Sequence, residues 1–184
     1  MTEVAERYRR VAGRFTEVAG QVPPGAWENP APCAGWVARD VVRHLVEWFP
    51  PFLSAGAGLE LPPGPPVEAD PAGAWTAMSD AVQAILDDPA TAARPFSHPM
   101  AGDHALEAAI GMFLLGDVLV HTWDLARAAG VDESIDAAEA AGMLAGLEQM
   151  EEILRGSGQF GPRVEAPAGA DVATRLIAFT GRTP

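Results

Sequence analysis

Between residues 116 and 126 the chain reads GDVLVHTWDLA, and three ionisable side chains, Asp117, His121 and Asp124, interrupt a run that is otherwise apolar or small. At about 100° per residue, a helix carries all three within an arc of about 60°. Asp117 and His121 are four residues apart, so a carboxylate and an imidazole stand one above the other, close enough to share one metal ion. Met112, Leu115, Leu119 and Trp123 cover the other side. A helix apolar all round is a central one, so the polar groups are expected to face protein. Two carboxylates in that setting each cost several kcal/mol unless a cation or a donor compensates them.

A third ligand has to come from a facing helix. His44 qualifies, because it interrupts the apolar stripe Val37, Val41, Trp48 and Phe52 and therefore also points inward. Two imidazoles and one carboxylate leave coordination positions for water or substrate, as in catalytic metal sites. Asp124, one turn beyond His121, then orients that ring by accepting its second proton, or moves a proton in the reaction. A plainer reading stays open, in which His44 and Asp117 are only an internal hydrogen-bonded pair, since Asp-x-x-x-His is a common spacing.

Composition narrows the class of function. The net charge of −13 repels a phosphate backbone, and every one of the 12 basic residues is arginine with no basic run, which argues against nucleic acid as a partner. The single cysteine, Cys33, excludes an internal disulfide. The opening MTEVAERYRRVAGRF lacks the apolar core of a secretory signal. The longest apolar run is broken by Asp117 and His121, so no membrane partner is expected and the protein is placed in the cytoplasm. The length suits one domain, 1–184, with a real core.

These side chains need helices to position them, and helical spacing recurs along the chain. A first helix is predicted over 2–20, from Val4, Tyr8, Val11, Phe15 and Val18. A second starts near Trp36 and meets Pro50 and Pro51, which are expected to shorten or kink it. The stretch 54–71, rich in Pro and Gly, reads as a loop, 72–88 as a third helix, and 89–103 as a second long connection. The longest helical pattern runs from His104 to Ala129 and is closed by Gly130. A fifth helix is predicted over 134–155 with Ser134 as N-cap, and the tail ends in a short helix or a packed strand. With no convincing strand pattern, the fold expected is an all-α up-and-down bundle with two long loops.

Three segments, PCAGWVARDVVRHLVEW, LLGDVLVHTWDLARAAG and RLIAFTGRTP, together resemble an actinobacterial family of metal-binding proteins related to the N-terminal domain of mycothiol-dependent maleylpyruvate isomerase, within the DinB/YfiT-like superfamily. The resemblance spans nearly the whole chain. It implies a four-helix up-down-down-up bundle, extended here by C-terminal helices, that holds a divalent metal through three side chains. Carried over by motif, those ligands are His44, Asp117 and His121, the same residues that helical geometry selects. Zinc is the metal implied, with nickel or manganese as alternatives. The isomerase pattern has Glu at the acidic position, and Asp117 is one methylene shorter. Read to Pro184, the chain is expected to lack the second domain that the isomerase carries.

The leading functional expectation is a metal-dependent isomerase or S-transferase in which mycothiol, or a similar small thiol, is activated to attack an electrophilic substrate. The alternative is a non-catalytic bundle that binds metal or a small ligand as a sensor or accessory protein. His98 and His104 are possible contacts at the pocket mouth, although each reads more simply as an exposed loop residue. Cys33, flanked by Pro32 and Gly35, is read as structural rather than nucleophilic, and Trp36, Trp48 and Trp123 are read as core. A homodimer is possible, with no stripe distinct enough to specify its interface.

Overall fold

The computed structural model describes residues 2–156 and 161–184. Four helices form the body: α1 (Glu3–Gln21), α2 (Ala38–Ala57), α3 (Pro71–Asp87) and α4 (Leu106–Ala129). Two of them, α1 and α3, begin at a side chain that caps the free amides. Thr2 Oγ1 accepts from the Ala5 amide, and Asp70 accepts from Gly73 with Pro71 in the first helical position. The end of α4 is the expected one, Gly130 with φ of 70° in the left-handed region.

Cross-helix contacts set the directions. Phe15 meets Trp75 while Arg9 pairs with Asp87, so α1 and α3 are antiparallel. His44, Trp48 and Phe52 step along α2 past His121, Asp117 and Phe113, so α2 and α4 are antiparallel too. Val4 lies beside Gly111, and Asn29, just beyond α1, bonds to the Ala128 carbonyl, which makes α1 and α4 parallel. With α2 against α3 as well, the bundle runs up, down, down, up. Its core is built from Tyr8, Phe15, Leu45, Phe49, Trp75 and Leu114, all fully buried. Each such side chain contributes roughly 1.5–3 kcal/mol by leaving water.

The connection 89–103 is not wholly irregular. After a single turn at Pro89–Ala92, β1 (Pro95–His98) pairs antiparallel with β2 (Gly102–Ala105), so that Phe96 stands opposite His104. Strands of four residues are too short to show alternation, and His104 therefore belongs to a hairpin rather than to the start of α4. The hairpin is held by Phe96, which is 1% exposed and packs against Phe52 and Gly56 of α2. His98 and His104 are half-buried, with rings against Phe52 and Phe113 respectively, and are not exposed loop residues.

Three further expectations are corrected. Pro50 and Pro51 do not end α2, which continues to Ala57 because Phe49, Phe52 and Leu53 beside them pack into the body and offset the lost backbone bonds. Helix α4 contains a π turn at Ile110–Leu114, and Met112 is turned out to 60% exposure rather than covering the helix. The fifth predicted helix divides at Met150 into α5 (Ala137–Gln149) and α6 (Glu151–Gly156), and Asp136, not Ser134, caps it. Ser134 is instead bonded to Asp132.

The tail resolves to a helix, α7 (Val172–Phe179), capped by Asp171 and packed on α5. By length and composition α4 could cross a membrane, but 61% of its apolar stretch is buried within the protein, the pattern of a central helix.

Candidate metal centre

The ridge of α2 that carries His44 and Trp48 faces the one on α4 that carries Asp117 and His121. His44 Nε2 is 3.1 Å from Asp117 Oδ2, and His121 Nε2 is 3.3 Å from Asp117 Oδ1. Each carboxylate oxygen thus faces one ring nitrogen. The ligand atoms of His44, Asp117 and His121 all lie within 4.8 Å of one another. His121 is almost enclosed, whereas the side chains of His44 and Asp117 keep 32% and 27% of their surface open. The cluster is therefore closed at His121 and reachable at His44 and Asp117.

Two tryptophans shape it. Trp48 donates its indole N–H to Asp117 Oδ2 at 2.9 Å. Trp36, from the segment just before α2, stacks on His121 at 5.8 Å between ring centres and tilts over His44 at 5.2 Å. Both are half-buried and line the site, unlike Trp123, which is core as expected. Their signal was present in the spacing, since Trp48 lies one turn from His44 on the same face.

Behind His121 lies a second polar layer. Its Nδ1 is 2.8 Å from Oδ2 of Asp124, a residue with no exposed surface. Arg182 closes on Asp124 with both arms, Nε to Oδ1 at 2.7 Å and a terminal nitrogen to Oδ2 at 2.6 Å. The Cys33 thiol also sits there, 3.4 Å from Asp124 Oδ2 and 3.3 Å from the same guanidinium. Cys33, His121 and Asp124 are themselves close enough to be ligands. The guanidinium already supplies the positive charge at that place. The need for a cation opposite two buried carboxylates was legible in the chain, but which of twelve arginines would serve was not.

The electrostatics follow from this packing. Burial opposes the charge on Asp117, yet His121 and His44 outweigh it and hold the carboxyl well below the usual carboxylate range. Burial likewise disfavours the His121 cation, and Asp117 with Asp124 overcomes it, raising the imidazole well above its ordinary value. For Asp124, burial is outweighed by His121 and Arg182, and its carboxyl is lowered.

A helical bundle that gathers two imidazoles and a carboxylate from two facing helices defines a class of all-α bundles with a candidate metal site. Within it, the chain belongs to the mycothiol maleylpyruvate isomerase N-terminal domain family, which it matches over residues 8–126. That segment contains His44, Asp117, His121 and Asp124. Uncharacterized proteins from two strains of Mycobacterium tuberculosis are each 28% identical to it over 179 residues, covering 96% of this chain and 96% of theirs. No solved structure matches the chain.

Proposed function

We propose that His44, Asp117 and His121 hold one divalent cation, zinc in the first instance with nickel or manganese as alternatives, and that the centre serves thiol chemistry of the kind the family's description names. The observation that carries this reading is the convergence of three ligand atoms within 4.8 Å, with a carboxylate behind one imidazole. Two neutral ring nitrogens and one carboxylate oxygen suit such an ion, and three protein donors leave room for a small molecule.

A divalent cation held by His44, Asp117 and His121 would supply the positive charge that lowers a thiol pKa and favours the thiolate at neutral pH. The chain's own residues prepare the place. Asp124 Oδ2 accepts a hydrogen bond from His121 Nδ1–H, which leaves the Nε2 lone pair directed at the cluster. Trp48 holds one oxygen of Asp117 with its N–H. Trp36 lies across both imidazoles and covers part of their faces. The partner molecules are a small thiol, mycothiol by the family's description, and a carbon electrophile. The thiol would lose its proton to solvent water, and its sulfur would add to one carbon of a C=C bond conjugated to a carbonyl, whose π pair moves onto the carbonyl oxygen and returns when the sulfur leaves or a proton is taken up from water. Asp124 acts in this scheme by orienting His121, because Arg182 and the ring occupy its oxygens.

Elemental analysis of protein prepared without a His tag tests the proposal, beside His44→Ala and His121→Ala. Near-stoichiometric divalent metal that both substitutions abolish is the expected result. Thiol-dependent loss of an electrophile, with maleylpyruvate among those tried, should then depend on the same metal. Protein that takes up no zinc, nickel or manganese overturns the reading, and metal without any thiol-dependent turnover reduces it to a binding module.

A further inference from the structure

We infer that Arg182 is a positioning residue of the metal centre, and that the last turn of the chain, outside the segment that matches the family, is a working part of that centre. The inference rests on the proposed metal site. It concerns how the ring of His121 is held.

The local sequence explains how a residue so near the end reaches the middle of the bundle. Ile177 and Phe179 of α7 are buried and anchor the helix. Thr180, also buried, bonds its hydroxyl to the Ile177 carbonyl. Gly181 follows with φ of 89°, a left-handed conformation that side chains other than glycine rarely adopt. That turn reverses the chain, and the Arg182 amide returns to the Ile177 carbonyl at 3.3 Å. The guanidinium is thereby carried inward, where its side chain is only 14% exposed.

What it meets there is the carboxylate of Asp124, 58 residues earlier in the chain. Two parallel N–H bonds at 2.7 and 2.6 Å fix the plane of that carboxylate as well as its place. A single cationic point would leave the plane free to rotate. With the plane fixed, Oδ2 is aimed at His121 Nδ1, and the opposite nitrogen of the same rigid ring is aimed at Asp117. Orientation therefore passes from Arg182 through Asp124 to the ligand atom of His121. Cys33 borders the fork and closes it on the α2 side. Groups that fix a ligating histidine from behind typically change metal affinity by roughly 10–100-fold when removed.

The test compares the full chain with Arg182→Met and Arg182→Lys, and with Arg175→Met as a control on the exposed face of α7. Zinc dissociation constants are measured by competition with a chelating dye. Wild type and the control should agree. Arg182→Met should bind roughly 10–100-fold more weakly with unchanged helical content, and Arg182→Lys, which keeps the charge but not the fork, should lie between them. Equal affinity in folded Arg182→Met or Arg182→Lys overturns the inference. Should Arg182→Met fail to fold, the lysine variant alone carries the comparison.

A second measurement needs no metal. In protein labelled with ¹⁵N at histidine, assigned with His121→Ala, the proton on His121 Nδ1 should exchange slowly in wild type and rapidly in the arginine variants. If wild type binds no zinc, the proposed function falls, and this exchange rate still decides whether Arg182 holds the ring. Equal protection in the variants rejects it.

Discussion

The indole N–H of Trp48 and the carboxylate of Asp117 meet at 2.9 Å, on the oxygen that His44 Nε2 also faces at 3.1 Å. A neutral donor thus holds the proposed acidic ligand and would not compete with a cation for its charge. Trp48→Phe keeps the ring stack and removes only that bond. Stability should fall by about 1 kcal/mol, the usual net value of a hydrogen bond. Zinc affinity should fall by roughly tenfold as the carboxylate loses its restraint. Thermal unfolding and dye competition measure the two separately, and a tighter site in the variant would show that the indole hinders binding.

The pH dependence should reverse between the metal-free and metal-loaded forms. In the metal-free protein the His121 value is raised by folding, so its contribution is complete below about 6.5 and is lost as pH rises toward the folded value. The lowered values of Asp117 and Asp124 contribute above about 3.9 and are lost as pH falls below it. Melting temperature in chelator should therefore be highest between about pH 4 and 6.5 and decline on either side. With zinc present, a proton leaves His121 on binding, and the stabilisation due to metal should grow from pH 6 to 8. Parallel curves in the two conditions would remove His121 from the ligand set.

Asp124→Asn preserves shape while removing the partner of a buried guanidinium. Leaving Arg182 uncompensated should cost about 3–5 kcal/mol, as for other broken buried ion pairs. Chemical denaturation measures that loss. Double substitution with Arg182→Met should restore part of it, because the uncompensated charge is then gone as well. Full additivity of the two losses would show that the pair is not coupled.

Gly56 stands where the hairpin rests on α2, and a Cβ at that position would overlap the Phe96 ring. Gly56→Ala should destabilise the protein by about 1–3 kcal/mol, against the gain in helix propensity that alanine normally brings. Zinc stoichiometry should be unchanged, since neither Gly56 nor Phe96 touches the ligands. A more stable variant would mean that the hairpin moves aside freely.

The four principal helices and the convergence of His44, Asp117 and His121 could be read from the chain itself. Asp117, His121 and Asp124 share one arc of a helix whatever it packs against, because helical pitch alone decides it. His44 breaks an apolar stripe on another helix, so its inward direction was also local information. The hairpin was not legible, because four-residue strands leave no period to detect and the helical pattern of the following residues extends back to His104.

Tertiary structure alone chose the partners. Asp124 required a cation by burial, and any of twelve arginines could have met that need in principle. Arg182 meets it because α7 docks through Ile177 and Phe179 and Gly181 turns the chain back. Trp48 and Trp36 changed from core residues to walls of the site because α2 lies antiparallel to α4 with their rings at its open edge. Helical spacing determines which side chains share a face, whereas the pairing of faces depends on how all the helices pack at once, and that is a property of the folded chain.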